Sequence, residues 1–154
     1  MSEAQSGQPE GEQYITFSLG TPTFGIPVAR VQDVFMPQSI TRVPLAPAQI
    51  GGVLNLRGRI VTALDMRARL GMPERSAKTQ VMAVGIESGG ESYGLIIDEI
   101  GEVLTLRPSN FEPLPDALDP RWRDVSRSVY HLQDSLVVVF DVDRLLSIDA
   151  LARP

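Results

Sequence analysis

Catalysis requires an activated nucleophile, an acid–base pair or a metal, and this chain is poorly supplied with all three. It has one histidine, His131, and no cysteine, which removes the imidazole and thiolate sets that hold zinc or copper. Ser126, Ser128 and Ser135 lie close to His131 in sequence. None sits on the strand–turn–helix signature of a nucleophile elbow, so a hydrolase using His131 is the weakest of the readings weighed. The carboxylates are more tempting. Asp65 and the Asp141-Val142-Asp143 run follow apolar strands, where acids can gather a cation or share acid–base work. Yet Asp65 and Asp141 each stand immediately before a helical pattern, and capping the free amides of a helix start accounts for both. Asp98-Glu99 has no partner at a ligand-like spacing, and no glycine run matches a phosphate-binding loop. The sequence therefore points away from an enzyme and from any cofactor.

Two arginines remain. Arg57 and Arg59 bracket Gly58 at the tip of a β-hairpin, on a chain whose formal net charge is −5. A guanidinium fork suits bidentate pairing with a partner carboxylate, whereas solvation alone also places charge at a turn. Val31, Val34, Phe35 and Met36 precede Pro37. They read equally well as core or as an exposed apolar patch beside the arginines, the anatomy of a protein–protein site.

The elements that position these residues are mostly strands. Hydrophobic residues make up 43% of the 154 and charged residues 21%, enough apolar content for a packed core. Residues 1–12, rich in Gly, Ser, Gln and Glu, read as a disordered tail. The first 13 residues carry no Lys or Arg and no apolar run, so they do not make a signal peptide or anchor. With no spanning segment and no disulfide, the expected compartment is the cytoplasm. The acidic balance argues against nucleic acid as a partner.

Alternation predicts strands at Tyr14–Leu19 and Phe24–Val28, the latter at an edge or ending at Pro27, and a short strand at Ile40–Val43. A hairpin joins Val53–Leu56 to Ile60–Leu64 through Arg57-Gly58-Arg59, and Asp65 caps a helix that stops at Gly71. The second half predicts strands at Val81–Ile86 and Tyr93–Ile97 around Gly89-Gly90, then a short one at Val103–Leu106. Residues 108–124 read as irregular, with a helical turn near Trp122. A second hairpin, Val125–Leu132 with Leu136–Phe140, leads through Asp141 or Asp143 into a helix reaching about Ala150.

These two runs are copies. At an offset of 69, Phe24-Gly25-Ile26 meets Tyr93-Gly94-Leu95 and Val31 meets Ile100. At an offset of 76, Val53 meets Val129, Ile60-Val61 meets Leu136-Val137, Leu64 meets Phe140 and Asp65 meets Asp141. Two copies of about five short strands predict two small barrels that share an apolar seam, since neither alone buries a sufficient core. A single sandwich is the alternative.

The segments YITFSLG at 14–20, FGIPVARVQDV at 24–34, ITRVPLAP at 40–47, IGGVLNLRGRIVTALDMRARLG at 50–71, YGLIIDEIGEVL at 93–104 and LVVVFDVDRLLS at 136–147 resemble the CheW family of chemotaxis coupling proteins. That family is related to the regulatory domain of the chemotaxis histidine kinase, and GVLNLRG followed by IVTALD is its most specific feature here. The resemblance implies an all-β chain of two packed, SH3-like five-stranded β-barrels with short helices after the hairpins. The CheW-like domain would span residues 13–150, the first barrel about 13–75 and the second about 78–150, with exchange of strands between them left open. It implies a non-catalytic adaptor without cofactor that couples chemoreceptors to the kinase. The partners would be the receptor's cytoplasmic tip and the kinase regulatory domain. The membrane would be touched only through the receptor, and the isolated chain would be monomeric. Carried onto matching positions, the receptor-binding residues are Val31, Asp33, Gly52 and Arg57, with Gly58 and Arg59 forming the tip that presents them. The family often has glutamate at the place of Asp33 and glycine where Ser128-Val129 stands. A module binding a small ligand between the barrels is the second reading.

Overall fold

The computed structural model describes residues 11–47, 49–56, 58–76, 79–132 and 135–147. Its strands are β1 Glu12–Ser18, β2 Thr23–Pro27, β3 Val31–Phe35, β4 Ile50–Leu56, β5 Arg59–Asp65, β6 Met82–Ser88, β7 Glu91–Ile97, β8 Glu99–Leu106, β9 Phe111–Glu112, β10 Ser126–Leu132 and β11 Ser135–Phe140. Single helical turns follow: α1 Met66–Arg69, α2 Pro120–Arg123 and α3 Val142–Leu145. Residues 1–10 of the expected tail lie outside the described residues, and Glu12 already belongs to β1, where it pairs with Leu106.

Two sheets result, with strand orders β9–β10–β11–β2–β1–β8 and β3–β6–β7–β5–β4. Expressed in the repeat, each sheet takes the opening hairpin of one copy and the third strand and closing hairpin of the other. Thus β1–β2 sits between β8 and β11, while β6–β7 sits between β3 and β5. The registers agree with the sequence offsets. Val138 faces Phe24 in the parallel pair of the first sheet, and Thr62 faces Tyr93 in the second. The bulges recur too, between Ile50 and Gly52 in one hairpin and between Ser126 and Ser128 in the other.

The architecture is CheW-like, two β-sheet units with short helices, but the expected barrels are not closed. The first sheet has six strands, and both orders end in unpaired edges. Proline is the cause in the second sheet. The expected strand Ile40–Val43 is flanked by Pro37, Pro44 and Pro47, which cannot donate to a ladder. Only Thr41 pairs, exchanging two 2.8 Å hydrogen bonds with Val53. That bridge holds the place of β9 in the first sheet, where Glu112 faces Val129, the repeat equivalent of Val53. Pro27 does end β2, but β2 lies inside its sheet, between β1 and β11. The strand expected at Val103–Leu106 begins earlier, at Glu99.

The main core lies between the sheets. Phe17, Phe24, Ile26, Leu64, Leu95, Ile97, Phe140 and Leu145 are all essentially inaccessible there. Phe24 stacks on Phe140 with centroids 5.0 Å apart and planes 8° from parallel. Each such side chain contributes about 2–3 kcal/mol of transfer free energy. Smaller clusters fill the concave side of each sheet: Tyr14, Leu106 and Val139 in the first, Leu54, Val61 and Ile96 in the second.

Both predicted caps form. Asp65 accepts from the amides of Arg67 and Ala68 at 3.0 and 3.4 Å, and Asp141 accepts from Arg144 at 3.1 Å. The last helix stops at Leu145 rather than continuing towards Ala150, which lies outside the described residues. The proline-rich connector before β10 is a strap. Arg123 donates to the carbonyls of Leu114 and Pro115, and Trp122 packs edge-on against Phe24 at 5.2 Å. The Trp122 indole N–H donates to the carbonyl of Leu70 at the end of α1 (3.0 Å).

Candidate docking surface

Strand β3 is a free edge of the second sheet, and its alternation divides the apolar residues that the sequence left open. Val31 and Phe35 point inward, against the central seam and the second-sheet cluster. Val34 and Met36 point outward and are 37% and 58% exposed. Both the core and the patch readings therefore hold, for alternate residues.

The other free edge, β4, belongs to the hairpin carrying the arginines. Curling of the sheet brings the two edges together across a surface groove of about 360 Å³ lined by Gln32, Asp33, Leu56 and Arg59. The hairpin tip is held open by Gly58, at φ 82°, whose N–H donates to Asn55 Oδ1 at 2.9 Å. Arg59 donates to Ser92 Oγ at 2.6 Å, which aims its guanidinium along β7. Ile60 beside it is 68% exposed. Arg57 lies outside the described residues.

Of the residues singled out in the sequence, Asp33 and Arg59 thus share one groove, and Val31 supports it from below. Gly52 is buried. With φ at 140° in the bulge opposite Ala63, it lies so close to Thr41 that a Cβ would stand 2.2 Å from the Thr41 carbonyl oxygen. What Gly52 supplies to this surface is the bend of β4. Gln32 and Leu56 were not foreseen: the alternation of β3 and β4 was legible, but which faces meet across the gap depends on the curl.

The strongest electrostatic feature lies elsewhere. Asp98, between β7 and β8, accepts from the Gly20 N–H of the β1–β2 turn at 2.6 Å, from Arg67 of α1 and from Arg75 of the linker. Arg75 also reaches Asp65 at 3.2 Å. Side-chain exposures of 17%, 10% and 11% for Arg67, Arg75 and Asp98 make this a largely desolvated network. Burial alone would raise the Asp98 carboxyl, but the hydrogen bonds from Arg67, Gly20 and Arg75 hold it down at about 2. Asp98 appeared partnerless in sequence because its cations lie 31 and 23 residues away.

His131 is exposed and pairs with Glu112 through Nδ1 at 2.8 Å. Among the described residues no group of three or more His, Asp or Glu could hold a metal ion. No described helix is long and apolar enough to cross a membrane.

Comparison with known proteins gives this surface its context. The model of the CheW-like domain matches residues 13–150. The chemotaxis protein CheW of Bacillus subtilis is 30% identical over 137 residues, 88% of this chain and 87% of that protein. The chemotaxis protein CheW of Klebsiella aerogenes is 26% identical over 147 residues, 96% of this chain and 89% of that protein. The crystal structure of the scaffolding protein TtCheW from Thermoanaerobacter tengcongensis superposes with a TM-score of 0.80 at 25% identity, covering 93% of this chain and 97% of that one. The chain belongs to the CheW-like family, whose members are non-catalytic adaptors linking chemoreceptors to chemotaxis histidine kinases.

Proposed function

We propose that the groove between β3 and the β4–β5 hairpin docks the cytoplasmic helical tip of a chemoreceptor, while another face binds the kinase regulatory domain. The observation that carries this reading is the meeting of Asp33 and Arg59 with Leu56 on two free strand edges. An apolar floor flanked by opposite charges suits an amphipathic helix with acidic and basic flanks. Arg57, Gly52 and Val31 complete the proposed receptor-binding set with Gly58 at the tip. Residues 13–150 act as one two-part domain, monomeric when isolated. The protein works in the cytoplasm, held at membrane-attached arrays through its receptor.

Signalling requires that docking differ between receptor states, because equal affinity shifts no equilibrium. The test is a calorimetric titration of purified receptor tip into wild type, Arg57→Ala and Arg59→Ala, with thermal unfolding in parallel. Weaker binding at unchanged unfolding temperature supports the assignment. Unaltered affinity in both variants sinks it.

A further inference from the structure

The groove does not end at Gln32. On its other side Gln32 donates to Glu87 Oε1 at 2.7 Å and enters a second depression, lined by Arg30 and the Gly89-Gly90 turn. The two depressions share Gln32 and make one trench along the free edge of β3. Arg30 stands at the far end, its guanidinium 3.0 Å from Asp143 Oδ1. Asp143 belongs to α3 and also accepts from Ser88 Oγ at 3.4 Å.

This ion pair is built to be exchanged. Its side chains are 32% and 71% exposed, a setting in which a pair is worth at most about 1 kcal/mol. The helix does not depend on it, since α3 is capped by Asp141. Arg30 therefore keeps a cation at the trench mouth with only a weak internal ligand. From Arg30 to Asp33 the chain advances roughly 10 Å at extended spacing. That distance is roughly seven residues, or two turns, of a helix lying in the trench.

We infer that a helix docked along this trench uses a second carboxylate, about two turns from the one that meets the hairpin tip, to take Arg30 from Asp143. Asp143 then acts as an internal competitor that sets the threshold for docking. The inference rests on the reading of the groove as the receptor-docking surface.

Opposite signs make it testable. Purified receptor-tip fragment from the same host is titrated into the full chain at low and high salt. Arg30→Gln is expected to weaken binding about 3–10-fold, and Asp143→Asn to tighten it about 2–5-fold. The double variant should behave like Arg30→Gln alone, and the gains and losses should shrink with salt. A merely structural pair would make both single variants bind more weakly, which overturns the inference. Unchanged affinity in Asp143→Asn or in Arg30→Gln overturns it as well. Absence of binding by the wild-type chain overturns the docking reading and the inference together.

Discussion

Replacing Asp98 by asparagine tests whether the two sheets are clasped electrostatically. The carboxylate serves the β1–β2 turn through Gly20 and both Arg67 and Arg75 from the second sheet's side. Its folded-state value of about 2 lies roughly two units below the ordinary 3.8, equivalent to about 2–3 kcal/mol. Stranding two poorly solvated guanidinium groups adds to that, so a loss of about 2–4 kcal/mol is expected at pH 7. For a chain of this size this corresponds to about 5–15 °C in unfolding temperature. The depressed value sets the sign of the pH dependence. The stabilisation is complete above pH 3.8 and disappears as pH falls through about 2. Urea denaturation of wild type and Asp98→Asn from pH 7 to 2 should show a constant gap down to about pH 4.5 that narrows below it. A gap under about 0.5 kcal/mol at pH 7, or one that stays constant to pH 2, would refute the clasp.

Other substitutions separate local from long-range effects. Trp122→Phe keeps a ring against Phe24 but loses the 3.0 Å bond to Leu70, and should cost about 1 kcal/mol in denaturant unfolding. Gly52→Ala forces a Cβ onto the Thr41 carbonyl at a positive φ, and should destabilise by about 2–4 kcal/mol in the same measurement. Asp141→Ala removes one helix cap and should cost about 1 kcal/mol. Asp65→Ala should cost more, because Arg75 also loses a partner; equal unfolding losses for the two would count against the network.

Much of the scaffold was legible in the sequence because it rests on local rules. Alternation located the hairpins, and Asp65 and Asp141 announced their helices through a short-range need of orphan amides. The offsets of 69 and 76 even anticipated the shared register, since Val138–Phe24 and Thr62–Tyr93 are equivalent pairs. What stayed hidden depended on sequence-distant partners. Nothing near Asp98 signals Arg67 or Arg75, and nothing near Trp122 signals the Leu70 carbonyl. The docking groove was half readable: Asp33 and Arg59 stood out by type, whereas their meeting with Gln32 and Leu56 follows from the curl that brings β3 to β4. Ile40–Val43 was overread because apolar content alone does not outweigh three flanking prolines.

The exchange of strands between copies also imposes an order of assembly during synthesis. The second sheet draws on the continuous stretch from β3 to β7, residues 31–97, and every strand it needs is present once that stretch has left the ribosome. The first sheet cannot form then. Its β1–β2 hairpin ends at Pro27 and waits for β8 and β11, the last of which finishes at Phe140, 113 residues later. At bacterial elongation rates that is a delay on the order of 10 s, long against the folding of a small sheet. Until then Phe17, Phe24 and Ile26 lack the Phe140 side of their seam. The N-terminal hairpin, first to be made, is thus among the last parts to be buried, and the nascent chain carries its most adhesive surface until translation is nearly complete.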